Sequence, residues 1–241
     1  MRYLIFSDIH GNLDALERVA EEISILRPDI TISLGDVVGY GANPNECIDM
    51  VENLAKIKIA GNHDLAVAGL INTQNFNHIA KEAIQWTRDE LRTDYINILS
   101  EYDTVRRYRE SLFVHASPIS PLDWEYIYTV NQAKDIFTRY YEKFIFIGHT
   151  HVPAIISYGP DGLKVEENTR IKIDEYKRYL INVGSVGQPR DGIVAASFAL
   201  LDEKKGIISI RRVPYDVRTA QEKIISVGLP ETLAMRLASA R

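Results

Sequence analysis

The sequence predicts an α/β protein with parallel β-α-β units first and antiparallel hairpins last. Three observations carry that expectation. The apolar runs RYLIFSD, DITISLGD and KIKIAGNHD each end in acidic, amide or imidazole side chains, with helix-period segments between them. Two later runs, SLFVHASP and FIFIGHTH, end in histidines in the same way, so that five of the six histidines follow a predicted strand. After His151 the pattern changes to apolar or alternating strings between tight-turn signals.

The elements follow in order. RYLIFSD is a short buried strand, and NLDALERVAEEIS places Leu13, Leu16, Val19, Ala20 and Ile23 on one helical face, with Asn12 positioned to cap it. DITISLGD is the second strand. In NPNECIDMVENL, Asn43 is the expected cap and Pro44 suits the first helical position. KIKIAGNHD reads as strand then turn, and residues 76–101 read as helical, with Trp86 and Leu91 toward the core. The loop ASPISPLDWEYIYT is long and rich in Pro and aromatics, so it is expected to overhang a site. NQAKDIFTRYYE is a helix leading into FIFI, which stops at Gly148. PAIISYGPDGLKV, YLINVGSV, GIVAASFALLD and GIISIRRVP read as strands, with turns at Pro160-Asp161-Gly162 and Lys204-Lys205-Gly206. From about Asp216 two short amphipathic helices follow, broken at Gly228 and Pro230. Residues 1–241 read as a single domain, without repeat or linker.

Composition narrows the partners. A chain of 241 residues that is 46% hydrophobic and 25% charged has enough apolar surface for a sizeable core. Its net charge of −5 disfavours nucleic acid or an anionic membrane as main partner, because both demand a basic face. The basic string Arg106–Arg109 reads as an exposed strand or turn. Cys47 is the sole cysteine, which excludes a disulfide framework and a thiolate metal cluster. The start MRYLIFSDIHG has an apolar run of only four residues, far short of a signal or membrane segment. A soluble cytoplasmic protein is expected.

The strand-terminal residues are Asp8, His10, Asp36, Asn62, His63, Asp64, His115, His149 and His151. Taken singly, each reads as a cap, a turn residue or a satisfied polar group. Taken together, they lie where open α/β sheets bind ligands, outside the carboxyl ends of the strands. Carboxylates, imidazoles and an amide without thiolates suit Mn, Fe, Co, Ni or Zn rather than calcium. They are too many for one tetrahedral ion, and two metals about 3.5 to 4 Å apart are a common device for hydrolysing phosphoryl esters. In an extended chain His149 and His151 point to the same side, roughly 6 to 7 Å apart, so each is expected to reach one of two adjacent ions.

The strings DIHGN, GDVV, GNHD, VHA and GHTH resemble, in order, the blocks of the calcineurin-like metallophosphoesterases, and the resemblance runs from Met1 to about Arg212. The loop GSVGQPRDG is similar to that of the compact bacterial and archaeal branch related to the diadenosine tetraphosphatases. The resemblance implies a four-layer αββα sandwich with two mixed sheets. It implies Asp8, His10 and His151 on one metal, Asn62, His115 and His149 on the other, and Asp36 bridging. A hydroxide shared by the two ions would attack phosphorus in line, His63 would protonate the leaving group, and Asp64 would fix the tautomer and orientation of His63. Asn62 would also touch substrate.

This chain departs from the family at one informative place. The serine/threonine protein phosphatases carry GDxVDRG, whose arginine grips phosphate; here the string is GDVVGYG. Arg190 is the candidate substitute, and the Gly184-Ser185 backbone offers anion-binding N–H groups unless the loop is simply a set of tight turns. Tyr40, Trp124, Tyr126 and Tyr128 either stack on a nucleobase or pack as a local lid. The expected function is a two-metal phosphoesterase acting on phosphodiesters or nucleotide phosphoanhydrides, with Mn the expected activating metal. A small phosphate ester or nucleotide is its partner. The alternatives are a phosphomonoesterase or nuclease of the same fold, or a non-catalytic scaffold that binds protein.

Overall fold

A computed structural model describes residues 1–241 and contains two mixed six-stranded sheets. The first has the order β3-β2-β1-β11-β12-β9. Here β1 (Arg2–Phe6), β2 (Ile30–Ser33) and β3 (Ile57–Lys58) run parallel, whereas β11 (Ala196–Asp202), β12 (Ile207–Val213) and β9 (Arg170–Lys172) continue the sheet antiparallel. The second has the order β4-β5-β6-β10-β7-β8. Its parallel centre is β5 (Ser111–Val114), β6 (Phe144–Ile147) and β10 (Arg178–Asn182), flanked by antiparallel β4 (Val105–Tyr108), β7 (Ala154–Gly159) and β8 (Gly162–Val165).

Side-chain alternation decides the layers. Tyr3 and Ile5 of β1 pack between the sheets with Phe113, Phe146 and Ile181. Leu4 and Phe6 point the other way, onto α1 (Leu13–Leu26) and α2 (Pro44–Leu54) through Leu16, Val19, Ile48 and Val51. On the far side Leu112, Ile145 and Leu180 meet Ile136 and Phe137 of α6 (Val130–Arg139). The result is helix, sheet, sheet, helix. Because the parallel strands are buried on both faces, they read as continuous apolar runs rather than alternating ones.

Local signals explain most boundaries. Asn12 caps α1, its Oδ1 accepting the Ala15 N–H at 3.1 Å. Asn43 precedes α2 but makes no such bond, and Pro44 occupies the first turn. GNHD is more than a turn, for it opens the short helix α3 (Asn62–Val67). The helical stretch expected over 76–101 is two helices, α4 (His78–Glu90) and α5 (Thr93–Ser100), with Leu91 extended between them. A side chain from another element makes that break tolerable: Asn45 of α2 donates to the Glu90 carbonyl at 3.0 Å and accepts the Arg92 N–H at 2.9 Å. The C-terminal pair α7 (Val217–Ser226) and α8 (Glu231–Ser239) buries Ala220, Ile224, Leu233 and Leu237 against Tyr40 and Ala83. Arg106 and Arg107 lie exposed on edge strand β4. No helix is long and apolar enough to cross a membrane.

Candidate metal centre

The six parallel strands direct their carboxyl ends to one edge of the sandwich, and the chain turns sharply there. Asp8, His10 and Asp36 adopt left-handed backbone angles, with φ of 56°, 50° and 52°, and so do His149 and His151 at 65° and 60°. Each costs on the order of 1 kcal/mol for a residue with a Cβ. Interlocking loops hold them in place: Asp8 N–H donates to Gly35, His10 N–H to Asp36, and Gly187 N–H to the Asp8 carbonyl, all at 2.9 Å. Gly148 lets the two sheets close, since a Cβ there would lie 2.2 Å from Ser7 Oγ and 2.5 Å from Asp8 Oδ2. The extended geometry expected for His149 and His151 is therefore replaced by left-handed bends, which send the two rings to different partners.

Those partners define two pairs. His10 Nε2 faces His151 Nε2 at 3.1 Å, and His115 Nε2 faces His149 Nδ1 at 3.2 Å. In all four rings the other nitrogen lies against a backbone carbonyl: His10 Nδ1 on Val38 at 3.2 Å, His151 Nδ1 on Gln188 at 2.6 Å, His115 Nδ1 on Leu34 at 2.8 Å and His149 Nε2 on Trp124 at 2.9 Å. Each ring thus donates outward, and the facing nitrogens present lone pair to lone pair. Only a proton or a cation placed between them relieves that contact. Ligands at about 2.1 Å from one divalent ion sit about 3.0 to 3.4 Å apart in octahedral or tetrahedral arrangements, which both pairs match.

Carboxylates lie between the pairs. Asp36 Oδ2 is 3.6 Å from His10 Nε2 and 3.4 Å from His115 Nε2. Asp8 Oδ1 is 3.2 Å from His151 Nε2. Their second oxygens are used by the backbone, Asp36 Oδ1 accepting His63 N–H at 2.8 Å and Asp8 Oδ2 accepting His149 N–H at 3.0 Å. Two buried oxygens, Asp8 Oδ1 and Asn62 Oδ1, have no hydrogen-bond donor. Orphaned acceptors beside facing nitrogens form a donor set that fits divalent cations.

The electrostatics follow from burial and proximity. Burial alone would raise Asp8 and Asp36, but the surrounding imidazoles hold both well below the usual carboxylate range. Burial would lower His115, yet Asp36 and Asp8 hold it up to about 9. Beside it, burial and the His115 charge push His149 down to about 3. Without metal, a proton on His115 therefore fills one of the two lone-pair contacts.

His63 sits at the rim of this cluster in an aromatic cage. Its ring centroid is 4.4 Å from Tyr40, 4.9 Å from His10 and 5.4 Å from Phe76. Burial lowers it to about 4. Gly39 (φ 87°) makes room, because a Cβ there would lie 2.5 Å from His63 Nδ1. Asp64, expected to orient His63, makes no hydrogen bond to its ring in the structure. Asp64 Oδ1 accepts the N–H groups of Val37 and Val38 at 2.8 and 3.2 Å, Oδ2 accepts that of Gly61 at 3.0 Å, and His63 Nδ1 has no partner. At the third position of α3 an acidic side chain folds back on the helix start, so Asp64 ties the β2 and β3 loops together while packing aims His63.

Arg190 is part-buried and held by Gln188 Oε1 at 2.7 Å, on the same loop whose Gln188 carbonyl receives His151. In the Gly184-Ser185 segment the Gly184 N–H is spent on Asn182 Oδ1 at 2.9 Å, and the Ser185 hydroxyl donates to the Asp8 carbonyl at 2.7 Å, so the segment does not offer two free N–H groups to an anion.

Comparison with known proteins agrees with this geometry. The calcineurin-like phosphoesterase superfamily domain matches residues 1–206. The chain belongs to that superfamily. It is 40% identical over 237 residues to an uncharacterized protein of Methanocaldococcus jannaschii, covering 97% of this chain and 96% of that one. A metallophosphoesterase from Sphaerobacter thermophilus superposes with a TM-score of 0.87 at 36% identity, over 100% of this chain and 99% of the other. A hypothetical protein from Pyrococcus horikoshii has the same fold, with a TM-score of 0.79 at 20% identity over 98% and 97% of the two chains.

The calcineurin-like centre opens into a cleft of about 520 Å³, with Asn62, His63 and His149 at its inner end. Trp124 and Tyr126 form part of one wall, as the aromatic loop suggested, and Tyr128 stacks on Tyr126 from outside. The opposite wall is Asn72, Asn75, Phe76 and Asn77, which the motif reading missed. The crowding of asparagines in INTQNFN was the available signal.

Proposed function

We propose that this protein is a binuclear metal-dependent phosphoesterase acting on phosphodiesters or nucleotide phosphoanhydrides. The observation that carries the proposal is the pair of facing imidazole couples on either side of Asp36 Oδ2, which calls for two cations sharing one carboxylate. Asp8, His10 and His151 would hold one ion, Asn62, His115 and His149 the other, with Asp36 common to both. When bound, two such ions acidify water and neutralise the non-bridging oxygens of a phosphate. The chain supplies the rest. Val38, Gln188, Leu34 and Trp124 carbonyls fix which ring nitrogen faces inward. His63, which burial lowers to about 4 in the metal-free protein, would supply the proton to the leaving oxygen.

Tyr40 stands where the protein phosphatases have their phosphate-gripping arginine, so the chain lacks a dedicated cation at that place. A singly charged diester or anhydride link needs it less than a monoester dianion does. The test is side-by-side kinetics on bis-p-nitrophenyl phosphate, p-nitrophenyl phosphate and a diadenosine polyphosphate at one Mn²⁺ concentration. The monoester should be the poorest substrate, and Arg190→Ala should raise KM about tenfold with less effect on kcat. A monoester preference abolished by Arg190→Ala would overturn the substrate class and make Arg190 the clamp.

A further inference from the structure

The cleft beside His63 carries an inference about what leaves phosphorus. Its walls come from residues 71–77, between α3 and α4, and from residues 122–126 of the aromatic loop. Its volume of about 520 Å³ suits a ligand of nucleoside size. Phe76 and Trp124, both part-exposed, supply apolar ring surface, and Tyr40 and Tyr126 line the cleft with rings already packed on His63 and His149. Tyr126 is fixed before any ligand arrives, stacked on the His149 ring at 4.1 Å between centroids and on Tyr128 at 5.3 Å, so Phe76 and Trp124 carry the open ring surface of the cleft.

The polar lining is equally selective. Asn72 Oδ1 accepts the Gln74 N–H at 2.7 Å and Asn77 Oδ1 accepts the Ala80 N–H at 2.9 Å, which leaves their amide nitrogens as donors. Asn75 adds an exposed amide with both a donor and an acceptor. The lining contains no lysine or arginine, and its one charged residue outside the histidines is Asp123. A polyphosphate placed here would meet no cation and one carboxylate. A nucleobase would meet aromatic faces for its ring and amide groups for its polar edge.

We propose that this cleft is a nucleoside subsite for the leaving group, so that the scissile bond is a phosphate ester of a nucleoside rather than an anhydride. This rests on the phosphoesterase reading above and chooses between its two substrate classes. Water oxygen forms the new bond to phosphorus, the ester bond to the nucleoside oxygen breaks, and its electron pair leaves with that oxygen. His63 supplies the proton to that oxygen and regains one through solvent from the attacking water, and the product opposite is the phosphate ester of the other alcohol.

Two measurements on the full chain test it. Calorimetric titration with adenosine, with D-ribose and inorganic triphosphate as controls, should show adenosine binding with a Kd in about the micromolar to low millimolar range. Asn72→Ala/Asn75→Ala should weaken it about tenfold or more, and so should Phe76→Ala, with unchanged circular dichroism as the check on folding. In kinetics, adenylyl-adenosine should exceed diadenosine tetraphosphate in kcat/KM by about tenfold or more. Absent adenosine binding, binding indifferent to both variants, or preference for the anhydride overturns the subsite. If bis-p-nitrophenyl phosphate is still hydrolysed in that case, the phosphoesterase reading stands. If adenosine binds but no phosphate ester is hydrolysed, that reading falls and takes the leaving-group assignment with it.

Discussion

The two ends of the sandwich contrast in how they treat charge. At the end opposite the histidines the Met1 amine meets Glu203 at 2.9 Å, Arg2 meets Asp202 at 2.9 Å and Arg109 approaches Glu203 at 3.8 Å. A cleft of about 680 Å³, larger than the one at the metal end, opens among Arg109, Glu110, Lys143, Glu175 and Glu203. Its charges are of both signs and lie near one another and water. At the metal end Asp8 and Asp36 are fully buried, their neighbours are imidazoles, and orphaned oxygens remain. Cavity size therefore does not mark the site. Buried acceptors without donors, gathered on strained backbone, do.

The sharpest way to break this contrast is at Asp36, the carboxylate proposed to be shared. Asp36→Asn should cost both ions and lower kcat/KM on the order of 10³-fold, because the amide keeps the shape but removes the charge between the imidazole couples. Elemental analysis decides the point: two ions retained would end the bridging assignment. His63→Ala should keep the metal content and lower kcat by roughly 10² to 10⁴ on substrates with poor leaving groups, and less on nitrophenyl esters. Equal losses on both would leave His63 only a positional role.

Protons sharpen the same contrast. In the metal-free protein His115 has a pKa of about 9, above the ordinary value near 6.5, so its contribution to stability is complete below about pH 6.5 and is lost as pH rises through about 9. Metal must displace that proton, so metal affinity should rise over the interval in which metal-free stability falls. Melting temperatures of chelator-treated protein across this range should show the decline, and His115→Asn should flatten it. The smallest effect belongs to the opposite end. Glu203→Gln should change stability by less than about 1 kcal/mol and leave phosphoesterase kinetics alone, since a part-exposed ion pair contributes little. A large kinetic effect would show that the two ends communicate.

The amino-acid sequence by itself determined which candidate metal ligands gather at one end. Each strand-terminal block is local, a few residues of apolar run followed by Asp, Asn or His, and parallel β-α-β order brings such blocks to one edge. The hairpins, the Asn12 cap and the C-terminal helix pair are equally local and were legible for the same reason. Only the tertiary structure decided what depends on partners distant in the chain. Asn45, on another element, satisfies the backbone groups freed at the break in the 76–101 helix, and the loop around Gln188 aims His151. Asp64 turns inward because the backbone of Val37 and Val38 waits there with unpaired N–H groups, and the aromatic cage then takes over His63. The Asn72–Asn77 wall became visible last: amides in a loop have no periodicity, and they form a cleft only once folding sets residues 122–126 across from them.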